Sequence, residues 1–144
     1  MSDLKDILLN NITTKSSLLD EEEYFQAVIM ILILKEKEKY YFLLQKRNKN
    51  IRQGGEISFP GGRTEPADEN IIETALRETQ EELGIDMENI EIIGEYKSMV
   101  TPMGLYIKSV IGFLDVNDLN DIIEINQDEV DYIIKLPFEF LYEN

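Results

Sequence analysis

The run Ala27 to Leu34, AVIMILIL, constrains the fold of this chain more than any other stretch. An uninterrupted apolar run, rich in β-branched residues, suits a strand covered on both faces. It is far shorter than the ~20 residues needed to cross a bilayer. A strand buried on both sides demands a covering layer on each face of its sheet. The neighbouring segments supply the elements. Tyr24 to Leu34 reads as the buried strand, Lys35 to Lys39 as a charged turn, and Tyr40 to Arg47 as the returning arm of a hairpin. Glu56 to Phe59 reads as a short strand that stops at Pro60-Gly61-Gly62. A helix follows over Asn70 to Leu83, with Asp68 as its N-cap and Gly84 as a left-handed stop. Ile90 to Met99, Leu105 to Leu114 and Tyr132 to Leu136 complete the strands. Residues 3–12 read as a short amphipathic helix, with Leu4, Ile7, Leu8 and Ile12 at helical spacing. Strands on both sides of one central helix, in 144 residues without repeats or linkers, predict a single α/β or α+β domain around a mixed sheet.

Composition then removes whole classes of chemistry. The chain has no Cys and no His, so disulfides, thiolate nucleophiles, zinc–cysteine sites, iron–sulfur clusters and imidazole bases are excluded. A catalyst built here works through carboxylates, Lys, Tyr or hard cations held by oxygen. With 14 Lys+Arg against 29 Asp+Glu the net charge is −15, which argues against nucleic-acid partners and anionic membrane surfaces. The N-terminal segment carries Asp3 and lacks a long apolar core, so no signal peptide is expected and the cytoplasm is the expected compartment.

The helix 70–83 holds the most informative side chains. At ~100° per residue, with Glu78 at zero, Glu81 falls near about −60° and Glu82 near about +40°. Ile72, Ala75, Leu76, Thr79 and Leu83 form the adjacent buried stripe. Three carboxylates on one arc repel each other by a few tenths of a kcal/mol per pair, and Arg77, four residues from both Glu73 and Glu81, relieves part of this. Two readings of the arc stand side by side. It is a solvated acidic face, or it is a hard-cation site where Mg²⁺ or Mn²⁺ gathers carboxylate oxygens. Phe59-Pro60-Gly61-Gly62 just upstream favours the second, because paired glycines let backbone approach a metal or phosphate closely.

Gly61-Gly62…Glu69…Arg77-Glu78-Thr79-Gln80-Glu81-Glu82-Leu83-Gly84-Ile85 resembles the Nudix box, the loop–helix signature of the Nudix hydrolases, over about residues 62–85. RETQEELGI fills every fixed position of its second half. The loop is the departure: either it is one residue longer, with Glu69 as the first box glutamate, or Asp68 substitutes. The resemblance covers about residues 24–140, with 1–22 as a helical extension, and implies a Nudix-type α/β/α sandwich. It also implies a metal-dependent hydrolase of nucleoside diphosphates linked to another moiety. Glu78, Glu81 and Glu82 would ligate Mg²⁺ or Mn²⁺, Gly61 or Gly62 would add a carbonyl, and Arg77 would orient the glutamates. One of these glutamates, or a carboxylate from a later loop, would take the proton of the attacking water; Glu129, within NQDEVD, is either that carboxylate or a surface glutamate.

The flanks resemble one subfamily. LLQKRNKNIRQGGEISFPGG (43–62) and TPMGLYI…VIGFL (101–114) are similar to signatures of the coenzyme A pyrophosphatases, although the first is one residue shorter and carries Asn48 in place of a serine. Independently, Lys46, Arg47, Lys49 and Arg52 crowd into one short segment, with Arg63 nearby. Such a cluster either offsets local acids or receives a polyanion; at Arg47, Arg52, Gly61, Gly62 and Arg63 the substrate-binding reading is adopted. Met99, Met103, Tyr106 and Phe113 are candidates for an apolar pocket that takes the pantetheine arm, with Phe113 leaning towards the core. Tyr40, Tyr41 and Phe42 are packing residues. After Leu136-Pro137-Phe138 the chain runs only to Asn144, where the resembling enzymes add a strand and a helix over the sheet. The C-terminal layer is therefore expected to be shortened, and a bare sheet face predicts a homo-oligomer. Three activities remain distinct: hydrolysis of coenzyme A or a derivative to 3′,5′-ADP and 4′-phosphopantetheine; hydrolysis of ADP-ribose, NADH or a dinucleoside polyphosphate; and nucleotide sensing without turnover.

Overall fold

The computed structural model describes residues 25–142 apart from 52, 53 and 103. The helix expected over 3–12, together with Arg52 and Met103, lies outside the described residues. The apolar run becomes β1 (Phe25–Glu36), which turns into β2 (Lys39–Arg47). Only Lys37 and Glu38 form the turn, with φ of 50° and 67°, the two-residue geometry that matches strand twist. The charged turn is thus tighter than the five residues expected, and Lys35, Glu36 and Lys39 belong to the strands.

Among the described residues the strands form an eight-stranded mixed sheet centred on β1. Along its full length β1 runs parallel to β7 (Leu105–Val116), from Phe25 opposite Leu105 to Glu36 opposite Val116. Two strands, β5 (Glu91–Glu95) and β6 (Met99–Val100), pair antiparallel with the outer edge of β7. The single strand expected over Ile90 to Met99 is therefore two. Gly94, at φ 152°, sits where the register slips against β7 and the chain bends. On the other side β2 pairs with β8 (Val130–Pro137).

The hairpin arms pair only between Ile33–Glu36 and Lys39–Phe42, then splay apart. Two short strands fill the wedge. In it β3 (Ile57–Ser58) bonds to β2, and β4 (Gly61–Arg63) bonds to β1, with Ile29 opposite Gly61 and Ala27 opposite Arg63. The two glycines expected to turn the chain are therefore also part of the sheet.

Alternation along β1 sorts the core. Val28, Met30, Leu32 and Leu34 face α1 (Ile71–Leu83), where Ala75, Leu83, Val110 and Leu114 complete a fully buried cluster. The opposite face packs Ile33, Ile93, Ile111 and Phe113 with Tyr40, Phe42 and Phe138. Its cover is α2 (Phe138–Tyr142), five residues long, whose Phe138 ring lies 4.6 Å from Phe42 and 6.1 Å from Tyr40. Tyr40 and Phe42 pack on this face as expected, and Tyr41 packs against the cluster beneath α1. Tyr106 and Phe113 do not line one pocket. They stand an odd number of residues apart on an unbroken strand and so point to opposite faces. Met99 lies at the edge, 58% exposed.

Candidate active site

Helix α1 begins one residue later than expected. Asn70 is its N-cap and accepts from the Glu73 N–H at 3.0 Å. Asp68 was the expected cap, but it is engaged elsewhere. Its two oxygens accept from Arg77 Nε at 3.2 Å and Nη2 at 3.0 Å, and it also takes the Thr74 hydroxyl and the Glu65 N–H. The Arg77 guanidinium, above all, holds the Asp68 carboxyl well below the usual carboxylate range. Of the two residues offered for the first acidic position of the box, Asp68 is the one that bonds Arg77, while the Glu69 N–H donates to Glu73. Arg77 makes no pair with Glu73. It binds the Arg63 carbonyl at 3.1 Å, Glu78 at 2.9 Å and Glu81 at 3.5 Å. A fork bonded on both sides is rigid, so Arg77 ties the loop to the acidic face of the helix.

The glycine pair is explained atom by atom. A Cβ on Gly61 would stand 2.3 Å from the Val28 carbonyl oxygen, so only glycine allows β4 to close on β1 at that point. A Cβ on Gly62 would stand 2.5 Å from Cδ of Glu78. The Glu78 carboxylate thus lies directly against the backbone of Gly62.

Glu82 is buried, 2% exposed. Its Oε2 accepts from the Gln45 side-chain amide at 2.9 Å and from the Gly61 N–H at 3.3 Å. Burial pushes its pKa up to about 7, with Glu78 and Glu129 adding repulsion against the bonds from Gln45 and Gly61. Burial also raises Glu78, offset in part by Arg77. Both glutamates feel the charge of half-buried Glu129. Glu81 is half-exposed at the edge. The far end of α1 is pinned by Gly84 at φ 66°, as expected, and by the N–H groups of Glu124 and Asn126 on the carbonyls of Leu83 and Glu82.

Of the expected residues, Gly61, Gly62, Arg77, Glu78 and Glu82 meet in one cluster with the backbone of Arg63. The Arg63 side chain is exposed at the end of β4. Arg47 ends β2 opposite Val130, beside Glu129. Lys46 sits 5.5 Å from the Tyr132 ring, a packing role, and Arg52 is outside the described residues. Gln45 was not anticipated. Its only signal is a polar residue on the Tyr41–Leu43 face of a strand that is otherwise apolar there.

Among the described residues no three acidic side chains converge closely enough to hold a metal ion, and Arg77 Nη1 lies between Glu78 and Glu81. The donor chemistry nevertheless fits a hard cation. Its oxygens are all carboxylate or backbone, and Glu82 is desolvated without a cation in contact.

An acidic helix face docked on a glycine loop that is part of a mixed sheet defines the class. Residues 23–139 match the family model for the NUDIX domain, and the chain belongs to that family. Nudix hydrolases generally use divalent cations such as Mg²⁺ or Mn²⁺ and act on nucleoside diphosphate derivatives. The chain is 37% identical over 98 residues to Nudix hydrolase 3 of Caenorhabditis elegans, covering 67% of this chain and 40% of that protein. It is 36% identical over 95 residues to the mitochondrial coenzyme A diphosphatase NUDT8 of Homo sapiens, covering 64% and 39%. It spans less than half the length of these curated relatives. The fold is shared with the Ap4A hydrolase of C. elegans, at TM-score 0.63 and 18% identity over 83% of this chain and 84% of that one. It is shared also with a MutT protein from Methanosarcina mazei, at TM-score 0.60 and 23% identity over 88% and 86%. Among the described residues no helix is long and apolar enough to cross a membrane.

Proposed function

We propose that the protein hydrolyses the diphosphate linkage of coenzyme A or a coenzyme A derivative, giving 3′,5′-ADP and 4′-phosphopantetheine or its acyl form. The observation that carries the hydrolytic reading is the docking of Glu78 and Glu82 on Gly62 and Gly61. That arrangement puts two desolvated carboxylates beside backbone on which a diphosphate can rest. The substrate reading is supported by the similarity to coenzyme A diphosphatases in human and mouse and by the basic residues at the end of β2 and on β4.

Glu78, Glu81 and Glu82 would hold Mg²⁺ or Mn²⁺, with a carbonyl from Gly61 or Gly62. A bound cation of this kind neutralises the diphosphate and makes its water acidic at neutral pH. The chain's own residues do the rest. Arg77, fixed by Asp68, orients Glu78 and Glu81. Arg47, Arg52 and Arg63 receive the substrate's anionic groups, and Glu129 or a box glutamate takes the water proton. A cytoplasmic homo-oligomer belongs to the same proposal. Phe140 and Leu141 of α2 and Tyr132 of β8 are exposed apolar surface for it, and a monomer by light scattering at micromolar concentration removes that part.

The deciding assay supplies coenzyme A with Mg²⁺ or Mn²⁺, beside dephospho-coenzyme A and ADP-ribose, and separates the products by chromatography. The expected result is 3′,5′-ADP, with dephospho-coenzyme A clearly poorer. Cleavage of ADP-ribose but not coenzyme A keeps the hydrolase and rejects the substrate. Cation binding without turnover of any of the three identifies a nucleotide sensor.

A further inference from the structure

Gln45 is completely buried, and its two polar ends are treated differently. Its Nε2 donates to Glu82 Oε2 at 2.9 Å, whereas its Oε1 is sealed from solvent with no hydrogen-bond partner. A buried carbonyl left unpaired costs on the order of 1–3 kcal/mol, and an apolar residue of the same shape would avoid that cost. Its neighbour on the same face of β2, Leu43, is such a residue, fully buried in the core. The amide therefore weakens the core where it stands, and its one bond is spent on Glu82. Two donors, Gln45 Nε2 and the Gly61 N–H, converge on Oε2 of that carboxylate. Oε1 of Glu82 accepts no bond from any described residue. The result is a carboxylate clamped by one oxygen and open at the other.

We infer that Gln45 is a positioning residue for cation binding: it fixes Glu82 through Oε2, so that Oε1 is the oxygen offered to a divalent ion. The inference rests on the metal-dependent reading above and adds a member that lies 37 positions from Glu82 in the chain. A ligand held by such an outer contact loses little freedom when the ion arrives. Removing contacts of this type typically weakens metal affinity about 10–100-fold.

The test is a double-mutant cycle read by Mn²⁺ binding, with free Mn²⁺ followed by electron paramagnetic resonance and no substrate present. Gln45→Met keeps the volume and removes both polar ends. It should weaken Mn²⁺ binding about tenfold in the otherwise wild-type protein and have no further effect in a Glu82→Gln background. Circular dichroism checks each fold. Should Gln45→Met not fold, Gln45→Asn, which withdraws the amide by one methylene, carries the same comparison. Unchanged binding in the Gln45 variant overturns the inference while leaving the activity standing. An equal loss in both backgrounds also overturns it, because Gln45 then acts through the fold and not through Glu82. A wild-type protein that binds no Mn²⁺ overturns the metal-dependent activity and this inference together.

Discussion

Glu36 and Glu82 are both buried, and each accepts two hydrogen bonds, yet their surroundings are opposite. Glu36, at the end of β1, takes the Lys135 ammonium and the Leu119 N–H, each at 2.6 Å. The Lys135 bond leads in lowering its pKa. It is a closed clip joining β1, β8 and the turn at Leu119. Glu82 takes an amide and a backbone N–H, touches no cation, and has its pKa raised by burial to about 7. Burial of a carboxylate is thus no sign of function by itself. A buried carboxylate whose partners are all neutral has an unmet demand for positive charge, and that is what makes Glu82 a candidate cation ligand.

Four experiments press on this contrast. The largest effect is expected from Glu82→Gln, which should bring turnover down to the uncatalysed background with the circular dichroism spectrum unchanged; retained activity would falsify its assignment as a ligand. Next is the pH dependence of the metal-free protein. A carboxyl whose folded pKa is raised binds its proton more tightly in the native state, so stability is present below about 4.5 and lost as pH rises through about 7. The loss from Glu82 is at most about 3 kcal/mol. Denaturant unfolding in EDTA should show it for the wild type and not for Glu82→Gln, and parallel pH profiles would break the contrast. Gly62→Ala comes third. Its methyl displaces the Glu78 carboxylate, and a misplacement of this size costs about a hundredfold in kcat. Kinetics at saturating Mn²⁺ decide whether the close contact matters. Smallest is Glu36→Gln, which loses the charge of the clip and should lower stability by about 1–2 kcal/mol. Mn²⁺ affinity and activity per folded molecule should stay at wild-type level, and a drop in either would show that the two glutamates are not separate devices.

Much of this arrangement was legible in the sequence, and the exceptions share a cause. The buried strand, the helix to within one residue at its start, its Gly84 stop and the acidic arc all follow from periodicity and local chemistry. Asp68 was misread as a cap because its partner, Arg77, lies two turns into the helix and competes for the same oxygens. Of the two strands that fill the wedge, β3 is legible in Glu56 to Phe59, whereas β4 is not, because two glycines look like a turn until the splayed hairpin that receives them is known. Tyr106 and Phe113 were grouped by composition when strand parity separates them. Gln45 reaches Glu82 only because β2 and α1 meet across that wedge, a pairing no local pattern encodes.

That wedge ties chemistry to folding order. Gly61 and Gly62 come into place only against a β1 already set in the sheet, and β1 is set by a parallel neighbour that begins with Leu105 opposite Phe25. Parallel contacts so distant in sequence are slow to form, since a long loop must close before they reward it. A molecule in which β1 and β7 have not paired therefore has no glycine cradle, and the crowding of like charges on α1 is without its backbone support. Under the proposed function, specific activity would therefore count molecules whose sheet is complete and would not rise with partial folding.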